Sequence, residues 1–447
     1  MGAWCLRVHL SLALLAACQS PALSQQVAWS LRWGGVEARD AAQGIGLDAT
    51  GGLSVGGDTM GLGAYPGTHD LLLLKYDPAG ALQWARTWGA QGEDYGYDVA
   101  AGPGGESTLV GRSDSFSSSF DALIVKYDPQ GNLVWARTWG GPGGEAATGA
   151  AQDPEGNLYV TGYTTSFGAG DYDLFLLRYD PAGNVQWART WGGRANDTGY
   201  TAYQPDVTLD VFGNVYVVSS TYSFGSNAGF GEDVVVLKYD PTGVLQWAKT
   251  WGTGAEFEEA QAVSVDARGN LLIAGMVTSD ALSYDAFVLS LDSSGFLNWG
   301  RRLDVSGDDE LITIDLDIEG NIYAAGISAG SSYDLLLAKL DGAGDTIWVR
   351  KWGAEGNDYA CAAVCSEAGL TLAGVDYSVG AAVLESPEFT MSALPPVSAA
   401  PVSGAIETTP VAVESTPQGT QTAPSGASEG SVSGNVLVLA LRTRDTN

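Results

Sequence analysis

Histidine is nearly absent: His9 and His69 are the two in 447 residues. So little imidazole cannot build a multi-histidine metal centre. A Ser-His-Asp arrangement would have to use His69, which sits at an ordinary repeat position before Asp70. Cysteine is scarce too. Cys5 and Cys18 fall near the N-terminus, Cys361 and Cys365 lie on one expected strand, and no Cys-x-x-Cys or zinc-type spacing occurs. On a strand Cys361 and Cys365 would share a face about 13 Å apart, too far for a direct bridge. They read as small core residues, with a disulfide only across a bulge or kink. Positive charge is short, at 21 Lys and Arg against 52 Asp and Glu, net -31. That argues against nucleic acid, whose affinity comes from neutralised phosphates, and against electrostatic attraction to anionic lipid. It fits solubility in an extracellular or salty setting, or recruitment of cations or basic partners. No 3.6-residue apolar periodicity competes with the strand pattern described next.

What the chain has in abundance is one unit, repeated. Asp121-Ala-Leu-Ile-Val-Lys-Tyr-Asp-Pro-Gln-Gly-Asn-Leu-Val-Trp-Ala-Arg-Thr-Trp-Gly140 recurs with small changes throughout. Its Trp-x-x-x-Trp core appears as Trp84/Trp88, Trp135/Trp139, Trp187/Trp191, Trp247/Trp251 and Trp348/Trp352, with Trp299/Leu303 degenerate and Trp29/Trp33 alone near the N-terminus. Each unit reads as four short strands, a to d. Asp-Pro-x-Gly marks tight hairpins: Asp caps, Pro presets the first turn residue and Gly takes the left-handed position. Repeated four-stranded antiparallel sheets at about 50 residues each imply an all-β propeller. Counting the second anchors, at 33, 88, 139, 191, 251, 303 and 352, gives seven blades. The last blade lacks a strand d, and Val27–Trp33 is a strand d without a blade. Pairing it with Asn435–Leu441 closes the ring and protects both edges.

Ahead of the ring, residues 1–18 read as a secretory leader: Arg7, then an apolar run from Val8 to Ala17. That run is too short to span a bilayer. Its end, Leu15-Ala16-Ala17-Cys18, resembles a bacterial lipobox, which would lipidate Cys18 and tether the protein by its acyl chains. The alternative is cleavage after Ser24. The domain plan is one propeller over 26–384 plus 434–445, interrupted by 385–433. That insertion is rich in Ser, Thr, Pro and Ala and has no base. It reads as a disordered, mucin-like loop leaving the last blade.

An acid opens each strand c and a base follows sixteen residues later: Asp70/Arg86, Asp121/Arg137, Asp173/Arg189, Asp233/Lys249, Asp285/Arg301 and Asp334/Arg350. If the turn is a type I with a Gly bulge, both face the same side of the sheet and form diagonal cross-strand ion pairs. The base lies between the two Trp on one face, so it can stack on indole. That stripe is assigned to blade-to-blade packing. A sugar-stacking surface would leave many Trp exposed.

Acids that break the repeat cluster in the loops joining strand d to the next strand a: Glu93/Asp94, Glu256/Glu258/Glu259, Asp308/Asp309/Glu310 and Asp358. With Tyr65, Phe116, Phe167, Phe224 and Phe230 in the b-to-c loops, they make a candidate ligand face. The blander reading is a solvated acidic rim over locally packed aromatics. Asp308, Asp309 and Glu310 could hold Ca²⁺, although no Asp-x-Asp-x-Asp-Gly loop exists. No other cofactor is expected. Asp-x-x-Gly-x-x-x-Trp is similar to the tryptophan-docking repeat of quinoprotein dehydrogenases, but those carry one more residue before the Gly and an adjacent Cys pair missing here.

The unit Asp-x-Leu-Leu-Leu-Lys-Tyr-Asp-Pro-x-Gly-x-x-x-Trp-x-Arg-Thr-Trp-Gly-Gly resembles the bacterial SBBP β-propeller repeat family over nearly all of 26–384. The resemblance implies a secreted or surface seven-bladed propeller and no particular chemistry. Fold alone does not give function. The expectation is a non-enzymatic, monomeric, extracytoplasmic binding or scaffold module that engages a protein or glycan at the cell surface. It would be either an outer-membrane lipoprotein or secreted. The rival is a carbohydrate-active hydrolase using two carboxylates in the central funnel; no sialidase box supports it.

Overall fold

The computed structural model describes residues 26–33, 40–60, 62–63, 65, 67–199, 205–226, 228–254, 256–280, 283–330, 332–366, 369–376, 379–385, 390–394, 400–401, 406–408, 413–415, 420–422 and 435–442. The leader, Cys18 and the alternative cleavage point lie outside them.

Seven antiparallel sheets form a β-propeller with strand a innermost and strand d at the rim. Blades 1 to 6 begin at Asp40, Asp94, Glu145, Asp206, Glu258 and Asp309. Blade 7 is composite: Asp358–Ser366 and Gly369–Asp376 supply strands a and b, Asn435–Arg442 is strand c and Gln26–Trp33 is strand d. In its register Leu31 faces Val438 and Asp376 faces Asn435. Strand a of blade 1 packs against strand a of blade 7.

The hairpins form because their turns satisfy themselves. At Asp180 the Gly183 N–H donates to the Asp180 carbonyl at 2.9 Å. The Asp180 carboxylate accepts from the N–H groups of Ala182 at 3.0 Å and Asn184 at 2.9 Å. Gly183 is needed twice. Its φ is +79°, and a Cβ there would fall 2.8 Å from the Trp135 ring of the preceding blade.

The register corrects the expected ion pairs. Each strand c–d hairpin carries a bulge beside its turn. Leu73 therefore faces Arg86, and Leu71 faces Trp88, which puts Asp70 beside Gly89 on the opposite face from Arg86. Asp121/Arg137, Asp173/Arg189, Asp233/Lys249, Asp285/Arg301 and Asp334/Arg350 follow the same parity. The bases turn to the neighbouring blade instead. Nε of Arg86, Arg137, Arg189 and Arg301 donates to the carbonyls of Gly131, Gly183, Gly243 and Gly344. Each base also lies over the first Trp of its own pair, for example Arg86 over Trp84 at 5.5 Å. Trp84 and Trp135 donate Nε1–H to the carbonyls of Pro129 and Pro181 in the next blade's turn. The second Trp, at 88, 139, 191 and 251, is buried. The Trp stripe is thus the blade-to-blade cement. The residue seventeen positions after the strand-c acid, not sixteen, shares its face, and two such pairs form: Arg302 with Asp285 and Lys351 with Asp334 at 3.3 Å.

The segment expected to leave the ring wraps it. Val379–Glu385, Thr390–Ala393, Ala400–Pro401, Ile406–Thr408, Val413–Ser415 and Thr420–Thr422 pair in turn with the rim strands of blades 6, 5, 4, 3, 2 and 1. Each adds a fifth, antiparallel strand. Leu384 faces Trp352, Met391 faces Leu303, Glu407 faces Trp191, Glu414 faces Trp139 and Gln421 faces Trp88. Leu394 buries itself in the blade 4–5 core. The physical reason is the edge: every strand d leaves a row of N–H and C=O groups that another strand can satisfy. Low hydrophobicity does not prevent this pairing, because the ring supplies the backbone partners.

Candidate functional site

Strand a of blades 1, 2, 3, 5, 6 and 7 carries a β-bulge at its fourth residue: Gln43, Tyr97, Thr148, Gln261, Ile312 and Cys361. A bulge re-aims its side chain out of the sheet's alternation. Together with Pro205 from blade 4 these residues line one cavity of about 310 Å³ on the ring axis. The collar takes one residue from every blade. It is neutral throughout: two amides, a phenol, a hydroxyl, a thiol, an isoleucine and a proline. Burial pushes the Cys361 thiol up to about 12, so it is no nucleophile at neutral pH. Cys361 and Cys365 are both free thiols.

Three carboxylates also line this cavity: Asp98, Asp206 and Glu310. Burial pushes them up, Asp98 to about 7 with help from the charge of Asp206, Asp206 to about 6 and Glu310 to about 7. Yet Asp98 accepts from its own Val99 N–H at 2.7 Å and from Ala150 N–H of blade 3 at 2.8 Å. Asp206 accepts from Val207 N–H at 2.7 Å and from Val263 N–H of blade 5 at 2.8 Å. Asp315, lower in the ring, ties Leu316 and the Cys365 N–H of blade 7 in the same way. These acids staple one blade to the next. Glu310 is held by Gln261 Nε2–H at 2.7 Å.

The upper end of the ring carries the d-to-a and b-to-c loops. Most of the acids assigned to it as ligand groups turn inward instead. Asp94, Glu258, Asp309 and Asp358 are fully buried and Glu259 nearly so. Asp94, Glu258 and Asp309 accept from the loop N–H groups of Ala90, Thr253 and Val305. The reason is local: each d-to-a loop leaves N–H groups pointing inward, and the first acid of the next strand satisfies one. Glu93 accepts from His69 N–H at 3.0 Å, and Glu256 meets Arg302 at 3.3 Å. Asp308, Asp309 and Glu310 do not converge. Asp308 accepts from Tyr284 N–H, Asp309 lies under its loop and Glu310 faces the channel. The calcium expectation at that run is therefore corrected. Among the described residues one group of three acids does converge, Asp285, Asp304 and Asp309, whose oxygens lie within 4.8 Å of one another.

The aromatics divide in two. Phe116, Phe167 and Phe224 pack on Trp88, Trp139 and Trp191, with centroids 5.6, 5.2 and 5.1 Å apart. Phe224 is thereby a packing residue, and the Ser-Phe pair it shares with Ser115-Phe116 and Ser166-Phe167 just after strand b could have shown it. Phe230 is 88% exposed, and Tyr172, Phe257 and Tyr284 also stand out into solvent. His69 bonds Asp58 at 2.6 Å and stacks on Tyr95 at 4.6 Å. Arg112 covers Tyr95 at 5.0 Å and Phe120 at 4.3 Å and donates to the Tyr163 hydroxyl. Sequence reasoning missed this aromatic–Arg cluster beside the channel mouth, and the collar too. The collar's signal is the fourth residue from each strand-a acid, which varies where its neighbours repeat.

No family model matches the chain. It is 30% identical over 159 residues to the regulatory protein FlaEY of Caulobacter vibrioides, a stretch covering 30% of this chain and 17% of that one. It is 30% identical over 88 residues to an uncharacterized WD repeat-containing protein of Acanthamoeba polyphaga mimivirus, covering 16% and 6%. The chain thus spans less than a fifth of the length of either relative. Similar solved structures include a chain of a mitotic checkpoint complex, with TM-score 0.44, 9% identity and 84% and 96% of the two chains covered. The periplasmic gluconolactonase of Pseudomonas aeruginosa has TM-score 0.45, 15% identity and 68% and 83% coverage. Sqt1 from Chaetomium thermophilum has TM-score 0.45, 12% identity and 94% and 100% coverage.

Proposed function

We propose that this propeller is an extracytoplasmic binding scaffold that holds a protein or a glycan on its upper end. One observation carries the reading. The carboxylates of that end are mostly buried or tied to backbone N–H groups, while Phe230, Tyr172, Phe257 and Tyr284 protrude from a rigid ring. Exposed aromatic side chains offer large contact area at little conformational cost and stack on sugars or fill protein pockets. The leader, the lipobox ending in Cys18 and the resemblance to SBBP repeats support delivery to the cell surface, by lipid anchor or secretion. Glycan arrays and binding titrations with surface-protein extracts test it. Phe230→Ala and Phe257→Ala should each weaken a ligand found for the parent at least tenfold without lowering the melting temperature. A ligand whose affinity ignores both substitutions would refute the upper-end reading. Loss of acyl labelling in Cys18→Ala tests the anchor.

A hydrolase is the second reading. It is favoured by the raised pKa values of Asp98, Asp206 and Glu310 around one cavity. Against it stands the engagement of both oxygens of Asp98 and Asp206 by backbone N–H groups. Turnover of any glycoside or lactone that Glu310→Gln abolishes would establish it.

A further inference from the structure

At several blade junctions the acid opening strand c meets an acid at the entry to the next blade, either the first residue of its strand a or one in the loop before it, with a glycine between them. Two junctions show this without ambiguity. Asp121 and Glu145 face each other across Gly140, where a Cβ would fall 2.2 Å from Asp121 Oδ1 and 2.7 Å from Glu145 Oε2. Asp173 and Asp197 do so across Gly192, at 1.8 Å and 2.8 Å. All four carboxylates are at least nine-tenths buried. One side of each is spoken for. Asp173 Oδ2 accepts from Ala169 and Gly170 N–H at 2.8 and 3.1 Å. Asp197 accepts from Gly193 N–H and the hydroxyls of Thr221 and Ser223. Glu145 accepts from Gly141 and Ser166 N–H and the Thr164 hydroxyl. Among the described residues Oδ1 of Asp121 and Oδ1 of Asp173 have no hydrogen-bond partner, although both are buried and aimed at the opposing carboxylate.

A second observation says what belongs there. In the matching junctions of blades 5 and 6 the chain places its own cation against the strand-c acid: Arg302 on Asp285 and Lys351 on Asp334. Their register positions, opposite Phe287 and Leu336, are those of Thr138 opposite Leu123 and Thr190 opposite Phe175. Where the base is present the junction is neutralised from within. Where threonine stands, two buried carboxylates face each other with no side-chain cation of the described residues beside them, a costly arrangement unless a positive charge enters.

We propose that the junctions of blades 2–3 and 3–4 each bind a divalent cation of the calcium or magnesium class, one between Asp121 and Glu145 and one between Asp173 and Asp197. The donor set is hard carboxylate oxygen with hydroxyls nearby and no imidazole or thiolate, which selects alkaline-earth ions over zinc or copper. The cation does for blades 2 to 4 what Arg302 and Lys351 do for blades 5 and 6: it lets the ring close over paired negative charge. Burial, with the charge of Asp197, pushes Asp173 up to about 6, so an incoming cation and a shared proton compete for the same pair.

The test is calorimetric titration of the chelator-stripped full chain with CaCl₂ and with MgCl₂ at neutral pH, paired with thermal melts. Saturable uptake at concentrations up to about 1 mM, with a rise in melting temperature, is the expected result. Asp173→Asn and Glu145→Gln should each remove one site, and Asp173→Asn, whose amide NH2 can replace the partnerless Oδ1 facing Asp197, should melt no lower than the parent in chelator because a repulsion is gone. Thr190→Lys, which copies Lys351, should also remove one site and raise the melting temperature in chelator. Absence of uptake, with melting temperature climbing as pH falls from about 8 to about 5, would overturn the proposal in favour of proton sharing. Uptake of undiminished stoichiometry in both Asp173→Asn and Glu145→Gln would overturn it as well. If those two variants fail to fold, the parent titration and Thr190→Lys still decide.

Discussion

The two ends of the ring hold the same residue type in opposite states. At the turn end Asp128, Asp180 and Asp240 are only partly buried, and hydrogen bonds from Asn132, Asn184 and Thr242 with the turn N–H groups hold their carboxyls below the usual range. Burial would raise Asp48, but Lys75, Thr50 and Gly52 N–H hold it down to about 2. At the upper end burial is the largest influence and wins. It raises Asp94, Asp121 and Asp197 and pushes Asp173 and Asp309 up to about 6 and Glu258 to about 7. The turn end is self-sufficient, since each turn supplies its own donors. The upper end is under-supplied, and the proposed cations would act there. A repeat can specify the first end by itself; the second is where blades differ.

The largest effect should come from the cement between the ends. Trp139 is buried at 2% exposure and packs on Phe167 and on Phe175 at 4.7 Å. Trp139→Ala should cost about 3–5 kcal/mol in urea unfolding. Trp135, 7% exposed and bonded to the Pro181 carbonyl of the turn end, should cost less. If both cost the same, the two ends are not distinguished by packing.

A pH scan in chelator separates the ends next. Groups raised in the folded state bind more protons there than in the unfolded chain. Their junctions therefore gain stability as pH falls from about 7 towards about 4, the window between folded and unfolded values. Asp48 and the turn acids are lowered, so their contribution is present above about pH 4 and is lost as pH falls towards about 2. Melting temperature should peak at about pH 4–5. A flat profile between about 5 and 7 would mean that the upper acids are not paired as described.

This division also decided what could be read in advance. The turns, the Trp stripe and the count of seven follow from chemistry local to one unit, so twenty residues suffice to see them. The ion-pair parity failed by one position because a further bulge beside Tyr76, Tyr127 and Tyr179, beyond the Gly bulge expected in the turn, leaves no mark in the sequence. The wrapping segment failed differently. Its composition is that of disorder, and its partners lie on six other blades. Yet it carries a seven-residue period, Ala-Ile-Glu-Thr-Thr-Pro410, Ala-Val-Glu-Ser-Thr-Pro417 and Gly-Thr-Gln-Thr-Ala-Pro424. One unit advances it by one blade, from Trp191 to Trp139 to Trp88. The upper-end acids were legible as a cluster but not as buried, because burial is set by the loop that closes over them.

Smaller effects sharpen the contrast. Asp180→Ala removes an acceptor of two turn N–H groups that water can then reach, so it should cost about 0.5–1.5 kcal/mol and leave any upper-end ligand bound as before. Phe230→Ala is its mirror image. At 88% exposure the ring has little apolar area to lose, and unfolding should change by no more than about 0.5 kcal/mol. A side chain that contributes so little to the fold, held out on a loop of blade 4 where the repeat does not ask for an aromatic, keeps its apolar area in water for some other use. Ligand affinity that drops in Phe230→Ala and holds in Asp180→Ala would locate that use on the upper end. The reverse pattern would move it to the turns.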